Sequence, residues 1–294
     1  KRRFNIWLWV LLCVPCLLTS CDHDVHDGEE EGGLSVSLTW ADEADQGTEV
    51  KDVKLWIFNA NDGSLVEEKQ YGGAQEVASQ RFQLPEGTYR ILTTTNLTEP
   101  FFISEQTRSL TNWNNIQIGL TNPKDVRNNA YFGVVDVKID NKEGSYVVQN
   151  PMKSVLSELT IIIENIPKGT EMSGKALDCA CCLFPTQKNS DGEYGLPSIE
   201  PTEVELPTLL ATESTLKSEV IRLMPTIQGS SASHVYLRLL LPTGTLQEFD
   251  ITAPKMNVGG KYELRFKYEE MQPKMNLDAT INGWTNLNNE VETK

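Results

Sequence analysis

From residue 34 onward the hydrophobic positions recur every second residue. Residues 34–40 read Leu, Ser, Val, Ser, Leu, Thr, Trp, apolar against small polar, which is the pattern of a half-buried strand. Residues 53–58 predict a second strand, and Asp62-Gly63 ahead of Leu65-Val66 predicts a hairpin. Phe82 and Leu84 lead into Pro85-Glu86-Gly87 and a strand from Tyr89. A strand over 131–139, a turn over 140–144 and a strand from Tyr146 complete this series. A break is expected at Asn150-Pro151, followed by strands over 155–163, 176–184, 234–241, 246–251, 262–268 and 277–281. Residues 206–224 are the one segment open to a short helix. The spacing therefore predicts an all-β chain with antiparallel β-sandwich domains, one over 34–150 and one over 151–294. Gly87-Thr88-Tyr89 and Gly260-Lys261-Tyr262 each follow a turn and open a strand, which suggests one topology used twice. In each, the Gly permits the turn backbone and the Tyr buries its ring while its hydroxyl stays wet.

The first 33 residues do not follow this pattern. Lys1-Arg2-Arg3 precedes an apolar run over 6–18, too short for the roughly 20 residues that span a bilayer. This reads as a secretory signal peptide over 1–20. The run ends Leu18-Thr19-Ser20-Cys21, which resembles a bacterial lipobox. The resemblance implies cleavage before Cys21, a diacylglycerol on its sulfur and an acyl chain such as palmitate on its amine. The other reading is an ordinary signal peptide with a chance Cys. Two or more acyl chains anchor a protein stably, at about 0.8 kcal/mol per buried CH₂. Residues 21–33 would then be a lipidated acidic tether, reaching at most about 40 Å. Its acidic run also resembles the surface-export signals of Bacteroidetes lipoproteins. His23 and His26 among these carboxylates are either weak metal ligands or part of a polar spacer.

Length and charge narrow the function. At 294 residues the chain has room for about two domains. Its net charge is −15, and loss of the three cations in residues 1–20 takes it to −18. Nucleic acid is therefore not an expected partner, because phosphate binding needs clustered Lys and Arg. Nor is an electrostatic grip on anionic lipid. With only three His, a His-rich metal centre is not expected. Beyond Cys21 the mature chain keeps Cys179, Cys181 and Cys182, an odd number with no full disulfide framework. Strand alternation puts Cys179 and Cys181 on one face and Cys182 on the other, short of four converging metal ligands. Small buried side chains are the preferred reading. No metal and no cofactor are expected.

Several segments together resemble the fimbrillin-associated anchor proteins of Bacteroidetes, the FimB/Mfa2-like group. They are residues 84–91 (Leu-Pro-Glu-Gly-Thr-Tyr-Arg-Ile) running into Thr95-Asn96, residues 152–161 opening the second domain, Gly259-Gly260-Lys261-Tyr262-Glu263-Leu264, and Ile281-Asn282-Gly283-Trp284. Lys153 stands where Arg is more usual. The likeness covers most of the mature chain. It implies two tandem transthyretin-like sandwiches, fimbrial subunits as partners, and a place at the base of a fimbrium, attaching it to the cell outer membrane. It also implies that stalk subunits join by strand exchange, after a trypsin-like protease removes their first strand at an Arg.

No Arg lies between Cys21 and Gln80, and the first in the mature chain is Arg81. An Arg-specific protease has no site that would release residues 34–40 alone. The first strand and the lipid on Cys21 are expected to stay, which describes an anchor rather than a stalk subunit. The C-terminal strand could still be donated to a partner, with Leu277, Ala279 and Ile281 on its buried face. Alternatively it completes its own domain.

Two other functional classes have candidate residues in the chain. His234, beside Ser233, lies in no nucleophile elbow, and no phosphate loop is present, so an enzyme is not expected. Residues 59–63 and 140–144 faintly resemble Ca²⁺ loops but lack the later bidentate Glu, and read as hairpin turns. A surface glycan-binding lipoprotein is the alternative function. Trp113, in a polar stretch, is its best stacking platform, whereas Trp40 and Trp56 are in phase with core positions.

Overall fold

The computed structural model describes residues 32–104, 112–124, 126–271 and 284–286. Among these, the first half builds a six-stranded sheet. Its strands are β1 (Gly33–Trp40), β2 (Val53–Asn59), β3 (Leu65–Tyr71), β4 (Gly87–Thr95), β7 (Tyr131–Ile139) and β8 (Ser145–Ser154), in the order β1-β8-β7-β4-β2-β3. The alternation read from the sequence places Leu34, Val36, Leu55, Ile57 and Ile91 on one face. A five-residue helix, α1 (Ala74–Ala78), and the segment Phe82–Leu84 cover that face through Val77, Phe82 and Leu84. The opposite face carries Trp56, Phe58, Leu92 and Phe132.

A four-stranded sheet covers this second face, and it draws on both halves of the chain. β5 (Phe101–Ser104) and β6 (Gln117–Leu120) come from the first half, β11 (Cys182–Lys188) and β12 (Tyr194–Pro197) from the second, in the order β12-β11-β6-β5. β11 joins β6 through Cys182↔Gly119 and Leu183↔Ile118.

The second sandwich packs two five-stranded sheets. One holds β10 (Glu171–Ala180), β13 (Pro201–Glu205), β14 (Leu209–Leu210), β17 (Ala232–Leu240) and β18 (Leu246–Pro254). The other holds β9 (Ser157–Glu164), β15 (Thr215–Lys217), β16 (Ile221–Leu223), β19 (Lys261–Lys267) and β20 (Trp284–Asn286). Leu159, Ile161, Leu223 and Leu264 meet Met172, Val235, Leu237 and Phe249 between them, in a core continuous with that around Trp56 and Phe132.

Three features depart from the sequence reading. Residues 206–224 hold the short strands β14, β15 and β16 rather than a helix, because Leu216, Ile221 and Leu223 can bury only by pairing with β9. The expected strand over 176–184 is two strands, broken at Cys181. Asn150 and Pro151, where a break between domains is expected, lie within β8.

Not every pairing is antiparallel. β1 runs parallel to β8, and β9 runs parallel to β19. In each half the opening strand lies beside a late strand and points the same way.

Candidate functional site

The resemblance noted above makes the seat of the first strand the feature that would separate an anchor from a stalk subunit. β1 pairs with β8 over eight register positions, from Gly33↔Ser145 to Trp40↔Met152. On its other edge the Leu34 N–H donates to the Phe82 carbonyl at 2.9 Å, and the Phe82 N–H returns a bond to the Leu34 carbonyl at 2.8 Å. Leu34 and Val36 are fully buried. β8 has only two register pairs with its other neighbour, β7, namely Tyr131↔Ser154 and Phe132↔Lys153. Without β1, most of the β8 backbone would lose its ladder, and unpaired buried N–H and C=O groups are costly.

Arg81 follows α1 and directly precedes Phe82. Its guanidinium donates to the carbonyls of Ala78 and Gln80. A cut there would separate β1, β2 and β3 together from the rest of the sheet, not β1 alone.

At the other end, β20 pairs with β19 through Asn286↔Tyr262, Thr285↔Glu263 and Trp284↔Leu264. This is the chain's own C-terminal segment on its own sheet. Leu277, Ala279 and Ile281, the expected donor residues, and Cys21, the expected lipidation site, lie outside the described residues.

Trp113 has one ring face covered. The Arg90 guanidinium lies 3.8 Å above its ring and 4.9 Å from that of Tyr194. Arg90 Nε donates to Asp136 Oδ1 at 2.7 Å, and the Tyr194 hydroxyl donates to Asp136 Oδ2 at 2.6 Å. Burial alone would raise the Asp136 carboxyl, but these hydrogen bonds outweigh it and hold the group below its ordinary value. Thr186 and Gln187 of β11 donate to the carbonyls of Trp113 and Asn114 at 2.6 and 3.0 Å. The cluster fastens β11 and β12 to the first sheet, and the polar sequence around Trp113 gave no sign of this.

Below the cluster lies a cleft of about 390 Å³, lined by Asp42, Asp45, Lys153, Glu193, Tyr194 and Gly259 among others. Lys153 Nζ lies 5.4 Å from the Phe132 ring centroid and 4.0 Å from Glu193, and burial lowers its pKa. Across the cleft Lys261 donates to Asp42 at 2.6 Å, tying the turn after β1 to the start of β19.

The cysteine cluster marks the crossover between sandwiches. A register shift between Ala176 and Cys179, and a positive φ of 57° at Asp178, disturb the strand before it reaches Cys181. At Cys181 the chain leaves β10 for β11 and alternation fails: the sulfurs of Cys181 and Cys182, expected on opposite faces, lie 3.7 Å apart. Burial pushes the Cys179 and Cys182 thiols up to about 12, so both are protonated at neutral pH. His234 Nδ1 lies 2.6 Å from Asp178 Oδ2, but the buried Ser233 hydroxyl donates to the Leu177 carbonyl at 3.3 Å. The neighbouring serine is therefore not aligned with the imidazole.

The family model of the fimbrillin-A associated anchor proteins Mfa1 and Mfa2 matches residues 20–290. The chain belongs to this anchor-protein family. No curated protein matches it. Among solved structures, a putative polysaccharide-binding protein from Bacteroides thetaiotaomicron superposes with a TM-score of 0.55 at 10% identity, over 83% of this chain and 94% of that one. The fimbrial anchor protein Mfa2 from Porphyromonas gingivalis gives 0.53 at 15% identity, over 80% and 90%. A putative adhesin from Bacteroides ovatus gives 0.51 at 14% identity, over 88% and 99%. At such identities the likeness is one of fold. This anchor-protein family is not an enzyme family.

Proposed function

We propose that this chain is a surface-exposed lipoprotein that holds a fimbrium on the outer membrane. Cys21 carries the lipid, the acidic segment behind it is the tether, and fimbrial subunits are the partners. The observation that carries the reading is the seat of β1. The strand fills its place beside β8, and the first Arg after Cys21 lies beyond β3. A chain processed for strand exchange would need a cut between β1 and β2. The segment over 277–281 is the proposed contact with the fimbrium, adding a strand to a subunit through Leu277, Ala279 and Ile281. Main-chain pairing would give such a contact direction, and the apolar side chains would give it affinity.

The test is the state of the protein on the cell surface. Cells grown in radiolabelled palmitate should yield a labelled band whose first residue is Cys21. An unlabelled band beginning near Lys54 would overturn the anchor reading. For the partner contact, Leu277→Asp with Ile281→Asp should leave the protein folded and lipidated but shed fimbriae into the medium. Retention of fimbriae would overturn strand donation.

A further inference from the structure

We infer that the two parallel strand pairs act as shear-loaded clamps that carry tension through the molecule. The direction of loading rests on the anchoring function proposed above; the geometry of the clamps does not.

The chain enters the sheet at Gly33 and runs directly into β1. The Gly33 N–H donates to the Gly144 carbonyl and the Ala41 N–H to the Met152 carbonyl, both at 2.8 Å. The odd-numbered amides of β1 therefore point at β8, and the even-numbered amide of Leu34 points at Phe82. β8 ends at Ser154, and only two residues separate it from β9. Tension from the N-terminal side draws β1 toward Gly33. The opposing pull, arriving from the second half, draws β8 toward Ser154. In a parallel pair those two points lie at opposite ends of the ladder. The force then runs along both strands and across their hydrogen bonds, so that all of them share it and must fail together. Were the pair antiparallel, Gly33 would sit beside Ser154, and the same pull would open the bonds one at a time.

The second half repeats the arrangement. β9 and β19 are parallel over seven register positions, from Glu158↔Lys261 to Glu164↔Lys267. Load enters β9 at Ser157. For a load taken off beyond Lys267, the points of entry and exit again lie at opposite ends of a parallel pair. Two clamps thus stand in series between the tether and the far end of the chain. Elsewhere in the described residues the strand pairs are antiparallel; the parallel pairs are the two that hold the opening strand of each half.

Single-molecule pulling on the full chain tests this without lipid or fimbria. Handles at residues 32 and 270 load both clamps in shear. Handles at residues 43 and 270 reach β1 and β8 from the same end and peel them. The 32–270 geometry should rupture at clearly higher force. Ser37→Pro removes a donor from the middle of the β1–β8 ladder and should speed rupture at fixed force about fivefold in that geometry, the rate equivalent of one hydrogen bond. Equal or lower rupture force for 32–270 would overturn the inference, as would a Ser37→Pro chain that folds and ruptures at the unmodified rate. If Ser37→Pro does not fold, the two geometries of the unmodified chain still decide. A surface protein without lipid would refute the anchor and leave this measurement unaffected.

Discussion

Gly260 lies under the ring of Tyr262: a Cβ at residue 260 would stand 2.6 Å from both the ring edge and the hydroxyl. The same hydroxyl accepts the Asn257 N–H at 2.8 Å, closing the turn that starts β19. Two other Gly-x-Tyr sequences do the same. The Tyr146 hydroxyl accepts the N–H groups of Asp140 and Asn141, and Tyr89 donates to the Pro85 carbonyl. The glycine two residues before each tyrosine leaves room for the ring to fold back over the turn.

Alanine at the three glycines should give a graded series. A Cβ at Gly144 would approach the Tyr146 ring to 2.9 Å, and one at Gly87 the Tyr89 ring to 3.4 Å. Gly260→Ala should cost about 2 to 3 kcal/mol and Gly144→Ala about 1 to 2, as overpacked sites do. Gly87→Ala should be near neutral, since reduced freedom of the unfolded chain offsets a mild contact. Urea unfolding of the three variants checks the order.

The ion pair between Asp42 and Lys261 sets a pH window. Hydrogen bonding from Lys261 is the main reason Asp42 lies below its ordinary 3.8. Burial works against the charge of Lys261, but Asp42 and its acidic neighbours outweigh it and raise the group above 10.5. The contribution of Asp42 is complete above its unfolded value and is lost as pH falls through the lower folded one. That of Lys261 is complete below its unfolded value and is lost as pH rises through the higher folded one. A double-mutant cycle of Asp42→Asn and Lys261→Met should show coupling of up to about 1 kcal/mol at pH 7, vanishing in acid below the folded value of Asp42.

Trp113→Ala should act on stability. It removes the ring under Arg90 and should cost about 2 kcal/mol, less than a fully buried Trp, because the side chain is half-buried. Polysaccharide binding by the unmodified chain, lost in a Trp113→Ala protein of unchanged stability, would restore the glycan-binding alternative.

Truncation after Met275 should weaken the second sandwich, because β20 leaves the edge of β19 at Tyr262, Glu263 and Leu264. Hydrogen exchange should rise along β19 and stay low along β4. Unchanged protection of β19 would mean that its edge is satisfied without β20.

Two kinds of strand were legible. Residues 34–40 alternate cleanly and form β1, whereas 53–58 and 131–139 read as short apolar runs bounded by turns and form β2 and β7, with Leu55, Trp56, Ile57 and Phe58 buried on both faces. The repeat was legible as a motif but not in its correct partner. The sequence pairs Gly87-Thr88-Tyr89 with Gly260-Lys261-Tyr262, whereas β8, opened by Gly144-Ser145-Tyr146, occupies the position of β19. Parallel pairing to a strand more than a hundred residues away leaves no local trace. The Arg90–Trp113–Tyr194 stack was illegible for the same reason, since its members are ordinary residues until the four-stranded sheet assembles them. At Cys181 the period-two rule failed because the chain leaves one sheet for another.

That crossover denies the molecule a swivel. A linker between independent modules lets them rotate, and a tug on one end is then absorbed by reorientation. Here the second half supplies a wall of the first half's housing, so a fragment ending at Asn150 would leave Ile118 and Phe132 without the neighbours that close over them. The two halves should melt together, and neither can be traded for a foreign module by joining sequences at the midpoint.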